Sequence, residues 1–301
     1  MNVQALNWLS ATNLTMSHNP PVPPRPASHY ENFPVASWLC PPRLRPAIGA
    51  IYWFARTADD LADEGDASES TRLRDLAAFR SDLTSVVAGE PHSGRWPGVF
   101  GPLCAVLNTF SLPPELLLRL LDAFEQDVRY TASGQRYQDD AELIDYCTRS
   151  ANPVGRLLLH LYGISDENSL QQSDQICTAL QLINFWQDLS VDVPRGRWYP
   201  SAKAMQRHAV QDTDLQSAST SQNATNLIAD YADSARARML KGSSLARRIP
   251  GRAGWELRLV VQGGLRVLDK IEARGFATWR FRPKLDWLDF PVMLWRAWRM
   301  G

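Results

Sequence analysis

In "ARTADDLADEGD" (Ala55 to Asp66) three aspartates prolong the apolar stripe of the helix before them. At about 100° per residue, Ile48, Ile51, Tyr52 and Ala55 of "RPAIGAIYWF" and the residues after it share one face. Asp59 lies four residues after Ala55, Asp63 follows one turn later, and Asp60 stands within about 100° of both. Carboxylates therefore occupy the face that ought to be buried. Like charges at i,i+4 repel, Asp is a poor helix-interior residue, and ionised carboxylates facing a core are costly unless cations meet them.

The pattern recurs in "QICTALQLINFWQDLSVDVPRGRWYP" (Gln175 to Pro200), where Ile176 and Leu180 begin an i,i+4 stripe that continues as Asn184, Asp188 and Asp192. Ile183, Phe185, Trp186 and Leu189 occupy the other faces, which predicts a helix apolar almost all round and central to the fold. If the two acidic faces look at each other, they form a cage of hard oxygen ligands. Such a cage suits Mg²⁺, which takes carboxylates, keeps several waters and bridges to substrate phosphates. Arg56, Arg195 and Arg197 are placed to meet the anionic end of such a substrate, since Arg grips phosphate by a bidentate fork. Either row alone could be a solvated helix end, and Glu64 and Asp66 read as ordinary surface charge. Two rows in register with apolar stripes favour the site.

Helical signals dominate from His29 onward, and no alternating strand pattern is evident. Helices are predicted over about 43–65, 70–88, 98–110, 113–132, 139–163, 169–193, 201–208, 223–247 and 251–275, divided by Gly and Pro breakers. Residues 211–224 read as a surface loop, and residues 1–28, ending in "NPPVPPRPAS", as a Pro-rich tail. With 45% hydrophobic residues and a formal net charge of zero, the 301-residue chain fits a large globular core rather than a disordered chain or a nucleic-acid binder. The four Cys form no CxxC pair and the five His show no metal-ligand spacing, so the thiols read as reduced and structural, which suits the cytoplasm. The first 28 residues lack a signal-peptide pattern, and no apolar run reaches the ~20 residues of a membrane span. Residues 287–301 mix Trp287, Trp295 and Trp298 with Arg296 and Arg299. This suits either an amphipathic segment at a membrane edge or a last helix packed on the core.

These residues resemble the squalene/phytoene synthase family. "DDLAD" and "NFWQDLSVD" look like its two Asp-rich motifs, and "HYENFPVAS" (with His29 and Phe33), "YWFAR" (with Tyr52 and Arg56), "YCTRSANPVG" (Tyr146 to Gly155) and "GRWY" (Gly196 to Tyr199) extend the likeness from His29 to Lys284. The resemblance implies an all-α isoprenoid synthase helical bundle around a central active-site cavity, in one domain over 29–286. It implies that Asp59, Asp63, Asp188 and Asp192, with Asp60 beside them, bind two or three Mg²⁺ ions with diphosphate. It also implies that Asn184 supports the second metal site, that Arg56, Arg197, Tyr199 and Arg280 contact phosphate, and that His29, Phe33 and Tyr146 line the substrate.

Two departures narrow the likeness. Gln187 stands where squalene and dehydrosqualene synthases usually carry Arg, and Asn152 where they carry a small residue. Both resemble the bacterial hydroxysqualene synthases of hopanoid pathways, which convert presqualene diphosphate and water to hydroxysqualene without NADPH. Tyr52, with Phe33, Phe54, Phe185 and Trp186, could stabilise a passing carbocation through its aromatic face. Asn152, or after it Gln187, could hold the attacking water, or either could be a satisfied core amide. The rival readings are a head-to-head prenyl transferase making presqualene diphosphate, squalene or phytoene, a simple diphosphate hydrolase, and a non-catalytic helical assembly module. The expected location is cytoplasmic, with membrane-peripheral contact possible.

Overall fold

A computed structural model describes residues 40–217 and 219–300. The Pro-rich stretch 1–28, His29 and Phe33 lie outside the described residues. The described residues form fourteen α-helices and no strand: α1 Arg45–Asp63, α2 Glu69–Val87, α3 Pro97–Phe110, α4 Pro114–Ser133, α5 Asp140–Ser150, α6 Asn152–Leu161, α7 Glu167–Gln187, α8 Leu189–Asp192, α9 Ala202–Arg207, α10 Asp212–Gln216, α11 Gln222–Gly242, α12 Leu245–Arg248, α13 Gly251–Ala273 and α14 Asp289–Arg299. Their starts follow local chemistry. Ser68, Asp139 and Asp166 accept N-cap hydrogen bonds from Thr71, Glu142 and Ser169, and α1 and α4 open with Pro in the first turn.

Two apolar clusters form the core. One gathers α1, α2 and α3 through Ile51, Phe54, Phe79, Phe100 and Leu103; the other surrounds α7 through Phe185, Trp186, Leu227, Tyr231 and Leu268. α7 packs most extensively on α11 and also meets α6, α13 and α5. It is central, as its all-round apolar pattern predicts, and Trp186 is fully buried and stacked on Tyr231 at 3.9 Å. α4 packs on α1 and α2 on one side and on α5 and α6 on the other, so it runs between the halves.

Four predicted segments differ. The helix expected over 223–247 ends at Gly242 and resumes as α12 after a turn at Ser243 and Ser244. The helix expected over 139–163 breaks at Ala151 (φ −122°, ψ −48°), because Pro153 has no N–H to continue the ladder and restricts the residue before it. Asn152 thereby becomes the first residue of α6. The helix expected over 169–193 breaks at Asp188 (φ −101°, ψ 9°) and restarts as α8. The Ser190 amide donates to the Thr278 carbonyl, 3.2 Å away, instead of to α7, so a distant segment competes for the helix backbone. A 3-10 turn, Val193–Arg195, and Gly196 at φ +78° then turn the chain away. Within the predicted loop 211–224, α10 forms on a capping box between Gln211 and Asp214.

Candidate active site

α1 buries Ile48, Ile51, Phe54 and Ala58 and then presents Asp59, Asp60 and Asp63 in its last turns, half-buried. Arg56 answers the repulsion among them, reaching Asp59 at 3.2 Å and Asp60 at 2.6 Å, with Glu64 at 3.4 Å beyond. Asp63 instead forms an ion pair with Arg197, from the segment after the second row. Desolvation by the surrounding walls pushes Asp59 up to about 6 against the pull of Arg56, and the negative charge of Asp60 adds to the rise. Its side chain remains 43% open, so the walls desolvate it without sealing it. Tyr52, one turn before Arg56, is half-buried, and burial raises its hydroxyl above the usual range.

The second row sits where α7 gives way to α8. Asn184 is half-buried on α7, Asp188 caps that helix, and Asp192 ends α8. Arg282 grips Asp188 in a two-pronged pair, Nη2 lying 2.9 Å from Oδ2 and Nε closer still to Oδ1. Gln187 donates from Nε2 to the Pro283 carbonyl at 2.5 Å. The stretch Thr278 to Pro283 thus lies along the second row. Arg280, expected on phosphate, donates to Thr220 at 3.1 Å on the exposed side. Arg282 takes the place at the row: Arg280 lies in the turn Thr278–Arg280, its amide bonded to the Ala277 carbonyl, and Arg282 in the open stretch after it, so the two side chains do not share a direction.

The two rows open onto the same space. Arg197 bridges them by pairing with Asp63. A further carboxylate, Asp127 on α4, lies where both act on it. Burial pushes Asp127 up to about 7, a hydrogen bond from Tyr146 opposes this, and the negative charges of Asp59 and Asp192, one from each row, raise it further. The Tyr146 hydroxyl donates to Asp127 Oδ2 at 2.5 Å. Around this carboxylate stand rings in contact: Tyr199 stacks on Phe185 with centroids 3.7 Å apart and planes 11° from parallel, while Tyr137 lies 5.7 Å from Tyr146 and 6.4 Å from Tyr199. A 20 Å³ cleft lined by Asp127, Tyr130, Tyr137, Arg197 and Tyr199 opens beside them. Asp127 escaped the sequence reading, yet it carries the same signal as the two rows: it continues the buried α4 positions Leu120 and Ala123 at i+7 and i+4.

The donor set of both rows is hard oxygen, the kind Mg²⁺ takes. Among the described residues no three His, Cys, Asp or Glu side chains converge closely enough to hold an ion. The carboxylates lean on Arg56, Arg197 and Arg282 instead. Both candidate water holders are also engaged. Asn152 is buried and its Oδ1 accepts a hydrogen bond from Thr178 at 2.9 Å, while Gln187 is held by Pro283.

The model of the family described as squalene/phytoene synthase matches residues 27–289. The chain belongs to the squalene/phytoene synthase family. Among curated proteins, the hydroxysqualene synthase of Zymomonas mobilis is 43% identical over 164 residues, a match spanning 54% of the chain and about half (51%) of that relative. The hydroxysqualene synthase of Sinorhizobium fredii is 33% identical over 81% of the chain and 80% of its own length. The presqualene diphosphate synthase of Rhodopseudomonas palustris is 28% identical over 87% and 92%. Of solved structures, the squalene synthase HpnC of Alicyclobacillus acidocaldarius superposes with a TM-score of 0.73 at 34% identity, covering 83% of this chain and 90% of that one. The all-α isoprenoid synthase bundle expected from the sequence is the fold observed.

Proposed function

We propose that this family member is a hydroxysqualene synthase: presqualene diphosphate and water give hydroxysqualene and diphosphate, with Mg²⁺ and without NADPH. The observation that carries the reading is the Asp63–Arg197 pair, which joins the two acidic rows into one charged mouth beside a wall of stacked aromatic rings. The identity to hydroxysqualene synthases exceeds that to the presqualene diphosphate synthase and supports the finer assignment.

Asp59, Asp60, Asp63, Asp188 and Asp192, with Asn184, would hold the ions. Bound there, Mg²⁺ supplies Lewis-acid stabilisation of the departing diphosphate. Arg56, Arg197 and Arg282, whose guanidiniums rest on these carboxylates, would bind the phosphate oxygens of the substrate. The C–O bond to diphosphate breaks and leaves a cyclopropylcarbinyl cation. The faces of Tyr52, Tyr146, Phe185 and Tyr199 attract it by ~1–2 kcal/mol each once water is excluded. Asp127 fixes the Tyr146 ring through its hydroxyl and so positions that face. After ring opening, the oxygen of a water held by Asn152 or Gln187 bonds to the cation and its proton is released, giving the alcohol.

One observation favours a second reading, a head-to-head prenyl transferase: the likeness to a presqualene diphosphate synthase extends over 92% of that relative. Mass spectrometry of products decides between them. The chain is incubated with Mg²⁺ and either presqualene diphosphate or farnesyl diphosphate, with and without NADPH. Hydroxysqualene from presqualene diphosphate alone, unaffected by NADPH, is expected. Squalene formed with NADPH, consumption of farnesyl diphosphate only, or an unrearranged alcohol overturns the assignment.

A further inference from the structure

The face of α14 turned away from the protein is apolar. Asp289, Met293 and Ala297, spaced i,i+4, are buried against α13. At about 100° per residue the opposite side of the helix is centred between Trp295 and Trp298, with Leu294 beside Trp298. These are the positions a solvated helix would make polar, and here they stand open: Leu294 44%, Trp295 55% and Trp298 66% exposed. Trp287 (73%), Leu288 (60%) and Phe290 extend the patch into the preceding turn. Of the ten large apolar side chains exposed among the described residues, seven fall between Leu285 and Trp298. Contiguous exposed apolar surface of this kind marks an interaction site.

The carboxylates of this region are paired with cations behind the patch: Asp289, 2% exposed, is bonded to Arg266 and Lys270, and Asp286, 53% exposed, to Lys270. The cations stand at the border of the patch. Arg299 lies 4.8 Å above the Trp295 ring, and Arg296 reaches Asp269 at 2.6 Å. Between α11, α13 and α14 these two and Arg236 line a 440 Å³ groove with Leu240, Trp295 and Met300, three guanidiniums against the one carboxylate of Asp269, although Arg236 also reaches Glu272. Tryptophan on the apolar face and arginine at its edge is the composition of a helix that lies in a bilayer interface rather than across it. No helix among the described residues is long and apolar enough to cross a membrane.

We propose that the outward face of α14, with the turn at Trp287 and Leu288, docks this protein on an anionic lipid bilayer, the tryptophans entering the interface and Arg236, Arg296 and Arg299 meeting headgroup phosphates. The inference rests on this face and not on the reaction assigned above. The docked segment is continuous with the stretch whose Arg282 and Pro283 hold Asp188 and Gln187, so a bilayer bound there lies next in sequence to one wall of the candidate site.

The test is flotation of the full chain with vesicles of phosphatidylcholine and with vesicles of equal parts phosphatidylcholine and phosphatidylglycerol. Binding to the anionic vesicles, with a blue shift of tryptophan emission, is expected. The double variant Leu294→Ser with Trp298→Ser should bind about tenfold or more weakly, and Arg299→Glu should lose the preference for the anionic vesicles. All three positions are exposed, so an unchanged melting temperature shows that the variants fold. A benzophenone amino acid placed at Trp298 should crosslink to lipid. No flotation of the wild type, flotation indifferent to the variants, or crosslinks that map in the presence of vesicles to residues 1–39 or to a second copy overturns the proposal. Flotation is read without substrate, so failure of the catalytic reading leaves this result interpretable.

Discussion

Arg197 closes an ion pair with Asp63 and so ties the segment beyond the second acidic row to the last turn of the helix that carries the first. Both side chains are about a fifth to a quarter open, 22% and 24%. A largely buried pair loses in desolvation much of what it gains in attraction, leaving a net contribution on the order of 1 kcal/mol, so its placement is better explained by the proposed binding of metal and diphosphate. Asp63→Asn should therefore lower kcat/KM for presqualene diphosphate by roughly 10²–10³ while leaving the melting temperature nearly unchanged. Asp188→Asn, in the other row, should do the same. Steady-state kinetics beside thermal melts check this, and a fully active Asp63→Asn protein would detach the first row from the reaction.

Asp127 gives a pH dependence with a definite sign. Burial and the charges of Asp59 and Asp192 raise it to about 7, well above its unfolded value near 4. Between those two values the folded protein holds a proton that the unfolded chain has lost, so the unfolding free energy falls as pH rises, by up to about 1.4 kcal/mol per pH unit. The cost is absent below pH 4 and complete above pH 7. Asp127→Asn removes it. In chelator-treated protein, melting temperatures of wild type and variant from pH 4 to 8 should diverge upward in favour of the variant, and parallel curves would show that Asp127 ionises as in the unfolded chain.

The helices that build this mouth were legible because each buries a stripe, and a carboxylate that prolongs a buried stripe is visible at 100° per residue. That rule finds both rows, and applied to α4 it finds Asp127 as well. It does not find the breaks at Ala151 and Asp188. The first needs the steric effect of Pro153, and the second comes from Thr278, 88 residues further along the chain, taking the Ser190 amide. For the same reason the choice of Arg282 over Arg280 at Asp188 was hidden: periodicity places a side chain on a face of its own element but says nothing about which distant segment comes to meet it.

Gly155 lies where α6 packs against α7. A Cβ there would sit 2.4 Å from Ser173 Oγ and 2.5 Å from Cys177 Sγ, both on short side chains, the first buried and the second half-buried. Gly155→Ala should cost about 1–3 kcal/mol from overpacking, lowering the melting temperature by several degrees in a chain of this size. Adding Ser173→Ala and Cys177→Ala deletes the two atoms that clash, and should recover most of the loss. Failure of that rescue would mean the helix backbones themselves cannot accept the methyl group.

Asn152 opens α6 with its Oδ1 accepting from Thr178 at 2.9 Å, so α7 fixes how the carboxamide is turned. If the same amide holds the attacking water, removing it and removing its brace must have different signatures. Asn152→Ala leaves the Thr178 hydroxyl without its acceptor, which costs about 1–3 kcal/mol of stability, and takes away the water's partner. The alcohol fraction of the product should fall and hydrocarbons formed by proton loss should rise. Thr178→Val keeps the amide but frees its orientation, so the same shift should appear in weaker form with turnover largely retained. Product ratios by mass spectrometry at matched conversion, beside thermal melts, separate the two effects. An Asn152→Ala protein that is less stable yet gives the wild-type product ratio would make the amide a packing group only, leaving Gln187 to hold the water.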